Sequence, residues 1–400
     1  MGSLMLAAEG IYMLPYMRKS FQTSMQEVFG VTFTQLGFLN TMFGILALIS
    51  YFAGGWLSDR ISTRKLLSFS LFATGLGGYY MATMPSYPVL LALHAFWGVT
   101  SILTFWAALV KAARLWGGED EQGKTFGILN AGQGIVGASL ASLAAWVFSL
   151  YAAPSEGLVS VIVLYSTASI VAGITILAFV PVDTKQATLS QYKGPVPRRQ
   201  ILTVLKMPVV WLQAFIILFA YWLYLGVFEF PAFVEKVLGQ DKVFGAQLGA
   251  FREWMKPVAA IGAGFLADRI RPTRAICLAF GISALGYGVM SSSQGDSTWL
   301  WAVWIQVSAT AIAVFALRGI YYALLEESKV PIVLTGTAVG VISTISYTPD
   351  IFAFPLVGWF LDEFGASLGY QYYFRILAGT AVAGLLLTML LGWLGNRRKD

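Results

Sequence analysis

Apolar residues run along this chain in blocks, most of about twenty residues, separated by short polar stretches. The blocks cover about 1–24, 35–57, 66–84, 89–115, 125–150 and 158–181, then about 208–235, 243–267, 275–291, 297–324, 333–357 and 370–394. About twenty helical residues cross the hydrocarbon core of a bilayer, so the pattern predicts twelve transmembrane helices. The longest polar stretch, 182–207, follows the sixth block and holds Lys185, Lys193, Pro195, Pro197, Arg198 and Arg199. It divides the chain into an N-terminal six-helix bundle (1–181), a cytoplasmic linker (182–207) and a C-terminal six-helix bundle (208–400). The expected class is an all-α membrane protein with two pseudo-symmetric bundles.

Composition agrees. Hydrophobic residues make up 57% and charged residues 12% of the 400, against about 45–50% and about 25% in soluble domains. Cys277 is the single cysteine and His94 the single histidine. No intrachain disulfide, thiolate cluster or His-ligated metal site follows from such a sequence, and neither cofactor nor metal is expected. With both termini cytoplasmic, the inner loops and tail hold 18 of the 26 Lys and Arg residues, and the outer loops only Lys236 and Lys242. That asymmetry obeys the positive-inside rule; the expected location is a bacterial inner membrane. Met1-Gly2-Ser3 leads into apolar sequence without a basic region, which argues against a cleaved signal peptide.

One loop recurs. Gly55-Trp56-Leu57-Ser58-Asp59-Arg60 joins blocks two and three, and Gly264-Phe265-Leu266-Ala267-Asp268-Arg269 joins blocks eight and nine. Both read G-x-L-x-D-R and continue with basic residues, Arg64 and Lys65 in one copy, Arg271 and Arg274 in the other. Internal repeats of this kind build many transporters. The six-plus-six plan with this loop in both halves resembles the major facilitator superfamily across essentially the whole chain. The resemblance implies alternating access, with Asp59, Arg60, Arg64, Asp268 and Arg269 as gating elements at the cytoplasmic side.

Ionisable groups inside spans are costly and mark pathways or pairs. Nine stand out: Glu9, Arg18, Lys19, Glu229, Arg252, Glu253, Lys256, Arg318 and Asp350. Five are basic and four acidic, so most can pair. Lys111, Arg114 and Arg375 lie near span ends, where snorkelling accounts for them. Arg18 offers a planar fork suited to carboxylate, phosphate or sulfonate, and Arg252, Lys256 and Arg318 add cationic character. Glu253, Glu229 and Asp350 are the proton-coupling candidates; the spacing of Glu253 and Lys256 puts them on one helix face as a pair that an arriving anion could break. Pro349 beside Asp350 removes a backbone donor within span eleven. Trp106, Tyr224, Tyr321 and Tyr322 share helices or depth with these charges, and His94 reads as a hydrogen-bonded helix residue.

The stretch Tyr16-Met17-Arg18-Lys19-Ser20-Phe21 resembles the Y-x-x-R-K-x-F segment in the first helix of the organophosphate/phosphate antiporter branch. There the arginine binds the phosphoryl group, which implies substrate-binding roles for Arg18 and Lys19. That branch has a second arginine on helix seven, where this chain has Tyr224, so a carboxylate or sulfonate is matched as well as a phosphate ester. The same resemblance implies roles for Glu229, Glu253 and, in place of a helix-five histidine, Gln133.

These residues point to a secondary transporter of a small organic anion, proton-coupled or exchanging, acting as a monomer in the lipid bilayer. A multidrug or amphiphile exporter and a non-transporting sensor are the alternatives. Catalytic motifs and a P-loop are missing from the sequence, so neither an enzyme nor a primary pump is expected, and nothing suggests nucleic-acid binding.

Overall fold

The computed structural model describes residues 1–117, 122–181, 198–292, 300–321, 324 and 332–397. Its regular secondary structure in this range is helical. Span one comprises α1 (Gly2–Met13) and α2 (Arg18–Phe29). Spans two and three are α3 (Phe33–Arg60) and α4 (Thr63–Met81). Span four joins α5 (Tyr87–Val99) to α6 (Ala107–Gly117) through a π-helical segment, Thr100–Trp106. Spans five and six are α7 (Gln122–Ser149) and α8 (Pro154–Phe179). The short α9 (Arg198–Leu205) precedes span seven, formed by α10 (Pro208–Gly226), a 3₁₀ turn and α11 (Phe230–Lys236). Spans eight to ten are α12 (Lys242–Arg269), α13 (Pro272–Met290) and α14 (Leu300–Ile320). Span eleven begins as α15 (Ile332–Ser346) and resumes in α16 (Pro349–Arg397), which Gly365, at φ +73°, separates from span twelve.

Eight stretches among the described residues are long and apolar enough to cross a membrane by length and composition alone, and one of these, Ala338–Leu394, holds two spans in sequence. Spans one, three and eight fall outside that set, span one because it is cut into two twelve-residue helices.

The helix ends follow local chemistry. Thr32 and Gln35 form a reciprocal capping box at the start of α3, which satisfies two backbone donors that a helix start leaves open. Pro154, Pro208 and Pro272 open their helices, where a missing N–H costs nothing. Gly30, at φ +63°, closes α2 in the left-handed region that glycine enters freely.

The sequence pattern predicts one continuous first helix over 1–24, and the structure corrects this. Pro15 cannot donate to the helix ladder, and Leu14–Met17 form a tight turn, with Lys19 N–H donating to Tyr16 O at 3.1 Å and Ser20 N–H to Met17 O at 3.2 Å. Asn40 of span two donates to the Pro15 carbonyl at 3.3 Å. Arg18 and Lys19 therefore emerge directly from a break.

The chain forms two compact units: Met1–Tyr192 with Gln240–Trp254, and Lys193–Gly239 with Met255–Asp400. The first half of α12 is thus grouped with the N-terminal spans. Within the first unit α4 packs on α8 and α3 on α5; within the second α13 and α10 pack on α16. Small residues permit the close approaches. A Cβ on Gly98 would collide with the Phe43 carbonyl oxygen. Because that obstacle is backbone, Gly98→Ala is expected to destabilise the protein by about 1–3 kcal/mol. Thermal unfolding in detergent checks this, and an unchanged midpoint would refute it.

Candidate functional site

Around the break in span one the first unit buries a cluster of charges. Arg18 is 3% exposed, Lys19 6%, Glu9 6%, and Arg252 and Glu253 are fully buried. Arg18 Nη2 donates to Gln22 Oε1 at 2.8 Å, one helical turn along α2. Lys19 Nζ lies 3.8 Å from Glu9 Oε1 and 3.3 Å from Glu253 Oε1. Arg252 Nη2 reaches the same Glu253 oxygen at 2.8 Å, and its Nη1 donates to the Lys19 carbonyl at 3.0 Å. Helical spacing within α12 could not supply the Lys19–Glu253 pair. It arises because Ser20 and Gly249 pass closely: a Cβ on Gly249 would sit 2.5 Å from Ser20 Oγ. Gln133 of span five donates to the Ala8 carbonyl at 3.2 Å and so braces α1. Trp254 and Ser142, linked at 3.1 Å, tie α12 to span five.

The second unit gathers another set. The Arg318 guanidinium lies 4.0 Å from the ring centroid of Tyr224 and 5.8 Å from that of Tyr221. Cation and ring face attract through the ring quadrupole. Tyr221 donates to Asp350 Oδ2 at 2.8 Å, and Tyr321 and Tyr347 share a hydroxyl contact at 3.3 Å. Tyr221 also meets Tyr347 edge-on at 4.8 Å. Lys256 Nζ lies 5.9 Å from the Phe315 ring, which in turn packs against Tyr224. Tyr224 and Tyr321 are buried, so the guanidinium rests on an aromatic bed. Glu229 is fully buried and accepts from Tyr370 of span twelve at 3.3 Å.

Of the residues expected to gate, Arg60 and Arg269 are exposed in the last turns of α3 and α12, and Arg64 is half-buried at the start of α4. The side chains of Asp59 and Asp268, like Tyr322 as a whole, lie outside the described residues. Lys111 corrects an expectation: it does not snorkel outwards but is buried, donating to the Ser58 carbonyl at 2.9 Å. This backbone oxygen near the end of α3 is one that a helix C-terminus leaves open. His94 is buried, with Nδ1 2.8 Å from Leu90 O. Trp106 is 40% exposed at the end of the π-helical segment.

Sequence reading missed Gln22, Tyr165 and Phe315 as neighbours of these charges. The four-residue spacing of Arg18 and Gln22 was a readable signal. Tyr165 and Phe315 carried none, since aromatic residues fill every span.

The sequence matches a known family. A sequence model of the Major Facilitator Superfamily covers residues 10–353. This chain belongs to the Major Facilitator Superfamily. It is 30% identical over 407 residues to the inner membrane protein YihN of Escherichia coli K12, an alignment spanning 99% of this chain and 96% of that one. With the inner membrane protein YqcE of the same strain it shares 29% identity, over 94% and 89% of the two chains. Among solved structures, the nucleoside transporter NupG superposes with a TM-score of 0.76 at 11% identity over 98% of both chains. A bacterial homologue of the human lysosomal transporter Spinster does so with 0.69 at 15% identity, over 97% and 96%. As a member of the superfamily, the chain is a multi-pass membrane transporter and not an enzyme, and its helical fold fits the twelve-helix, two-bundle architecture of that family.

Proposed function

We propose that this superfamily member carries a small organic anion, a carboxylate, sulfonate or phosphate ester, either with protons or in exchange for a second anion. The observation that carries this reading is the buried cluster of cations at the break in span one. Lys19 lies between Glu9 and Glu253, Arg252 also holds Glu253, and Arg18 donates to Gln22. Arg18 and Lys19 bring two buried cations to neighbouring positions, and an anion is the ligand that such donors recognise. Arg18 supplies the fork and stands directly after the break in span one.

The second unit supports the same chemistry. Where the organophosphate/phosphate antiporter branch has an arginine on helix seven, this chain has Tyr224, and Arg318 brings a guanidinium to within 4.0 Å of that ring from another helix. The cation is retained while its origin changes, which favours kinship with that branch and leaves the anion's head group open among the three classes. Lys256 and Tyr321 belong to this second group of candidate contacts, and Glu253, Glu229 and Asp350 are candidate proton carriers. Asp59, Arg60, Arg64, Asp268 and Arg269 are assigned to gating, with both termini cytoplasmic in an inner membrane and the monomer as the working unit.

The test is a thermal-shift panel of carboxylates, sulfonates and phosphate esters on purified wild-type protein and Arg18→Ala. Stabilisation of the wild type by one class, lost in the variant, is expected. Stabilisation by amphiphilic cations and by no anion would replace this reading with a multidrug exporter.

A further inference from the structure

The buried charges of the first unit form an alternating row: Glu9, Lys19, Glu253, Arg252. The row is neutral, but its two carboxylates are not equivalent. Glu253 Oε1 holds Arg252 at 2.8 Å as well as Lys19 at 3.3 Å. Among the described residues, Lys19, at 3.8 Å, is the one cation within ion-pair reach of Glu9. Building on the proton-coupled anion reading above, we propose that Glu9, and none of the three carriers named there, takes up the coupling proton.

An anion that engages Arg18 and Lys19 draws the ammonium away from its carboxylates. Glu253 remains compensated by Arg252, on the adjacent residue. Glu9, 6% exposed, is left as a buried charge without its cation, a state that protonation relieves. One O–H bond forms at a Glu9 carboxylate oxygen, with the proton drawn from the aqueous phase. The anion then takes the place of Glu9 as counter-charge to Lys19, and the row stays neutral. When the anion leaves, Lys19 returns to Glu9 and the proton is lost.

The surroundings of Glu9 fit this role. Gly137 of span five presses its backbone against the carboxyl group: a Cβ there would lie 2.8 Å from Glu9 Cδ and Oε1. The carboxylate is thereby shielded on that side, and Gln133, one turn earlier, spends its amide on the Ala8 carbonyl. Tyr165 of span six lies within electrostatic reach of Glu9, Glu253 and Arg252. Span three packs on α1 with no ionisable side chain between Leu66 and Gly78. In α6, which also touches α1, Lys111 is engaged at Ser58 and Arg114 is exposed.

Lys19→Gln imitates the engaged state without any ligand. Infrared spectra of that variant at neutral pH should show a protonated-carboxyl band additional to those of wild type. The band should vanish in Lys19→Gln/Glu9→Gln and persist in Lys19→Gln/Glu253→Gln. No additional band, or one that vanishes with Glu253, overturns the assignment.

A second measurement keeps Lys19 intact and uses methanesulfonate, which stays ionised and brings no proton of its own. In weak buffer, wild type should take up protons on its addition and Glu9→Gln should lose this uptake. Gly137→Ala, which only displaces the carboxyl group, should shift the pH at which it occurs. Undiminished uptake by Glu9→Gln overturns the assignment. Failure of every anion to stabilise wild type would count against the transport reading, while the infrared comparison still decides the role of Glu9.

Discussion

Arg18→Ala should weaken binding of the transported anion by about tenfold to 150-fold, the loss of one charge-assisted hydrogen-bonding group worth about 1.5–3 kcal/mol. The side chain is 3% exposed and already oriented by Gln22 at 2.8 Å, so little ordering cost remains to be met on binding. Arg18→Lys keeps the charge but loses the two-pronged geometry, and its affinity should fall between those of wild type and Arg18→Ala. Equilibrium binding or the concentration dependence of thermal stabilisation measures both. If both variants bind at wild-type affinity, the anion site lies elsewhere.

Arg252→Met is expected to cost about 3–5 kcal/mol of stability, because removing one partner of a buried pair leaves the other charge without full compensation. Arg252 is fully buried and serves two partners, Glu253 Oε1 at 2.8 Å and the Lys19 carbonyl at 3.0 Å. Arg318→Met is the informative control. Arg318 lies over Tyr224, where a cation–π contact contributes about 0.5–2 kcal/mol. Unfolding of both variants in one detergent compares the two directly. Equal destabilisation would show that the pair in the first unit is not what holds span eight to span one.

The membrane architecture was legible in the sequence because the bilayer imposes it. Backbone groups in hydrocarbon must be satisfied within the segment, so helices about twenty residues long are forced, and hydropathy alone reveals them. The repeated G-x-L-x-D-R loop placed two halves in register, and the family match over 10–353 agrees with that plan. The candidate charges were legible for the same reason: an Arg or Glu within an apolar block stands out. Pro349 likewise marked the interruption of span eleven in advance.

Which charges meet is a different matter, and only the tertiary structure decided it. Residues i and i+3 or i+4 on one helix can be paired from spacing, which finds Arg18 with Gln22. Lys19 with Glu253 joins positions 234 apart in sequence, brought together where Gly249 lets α12 approach Ser20. The same holds for Glu9, whose ion-pair partner among the described residues and glycine cradle come from α2 and span five, and for Arg318 of span ten, which lies over Tyr224 and Tyr221 of span seven. Hydrophobic periodicity specifies that a helix crosses the membrane. It carries no information about which neighbour a polar side chain will face, because that depends on helix rotation and on the small residues at each crossing.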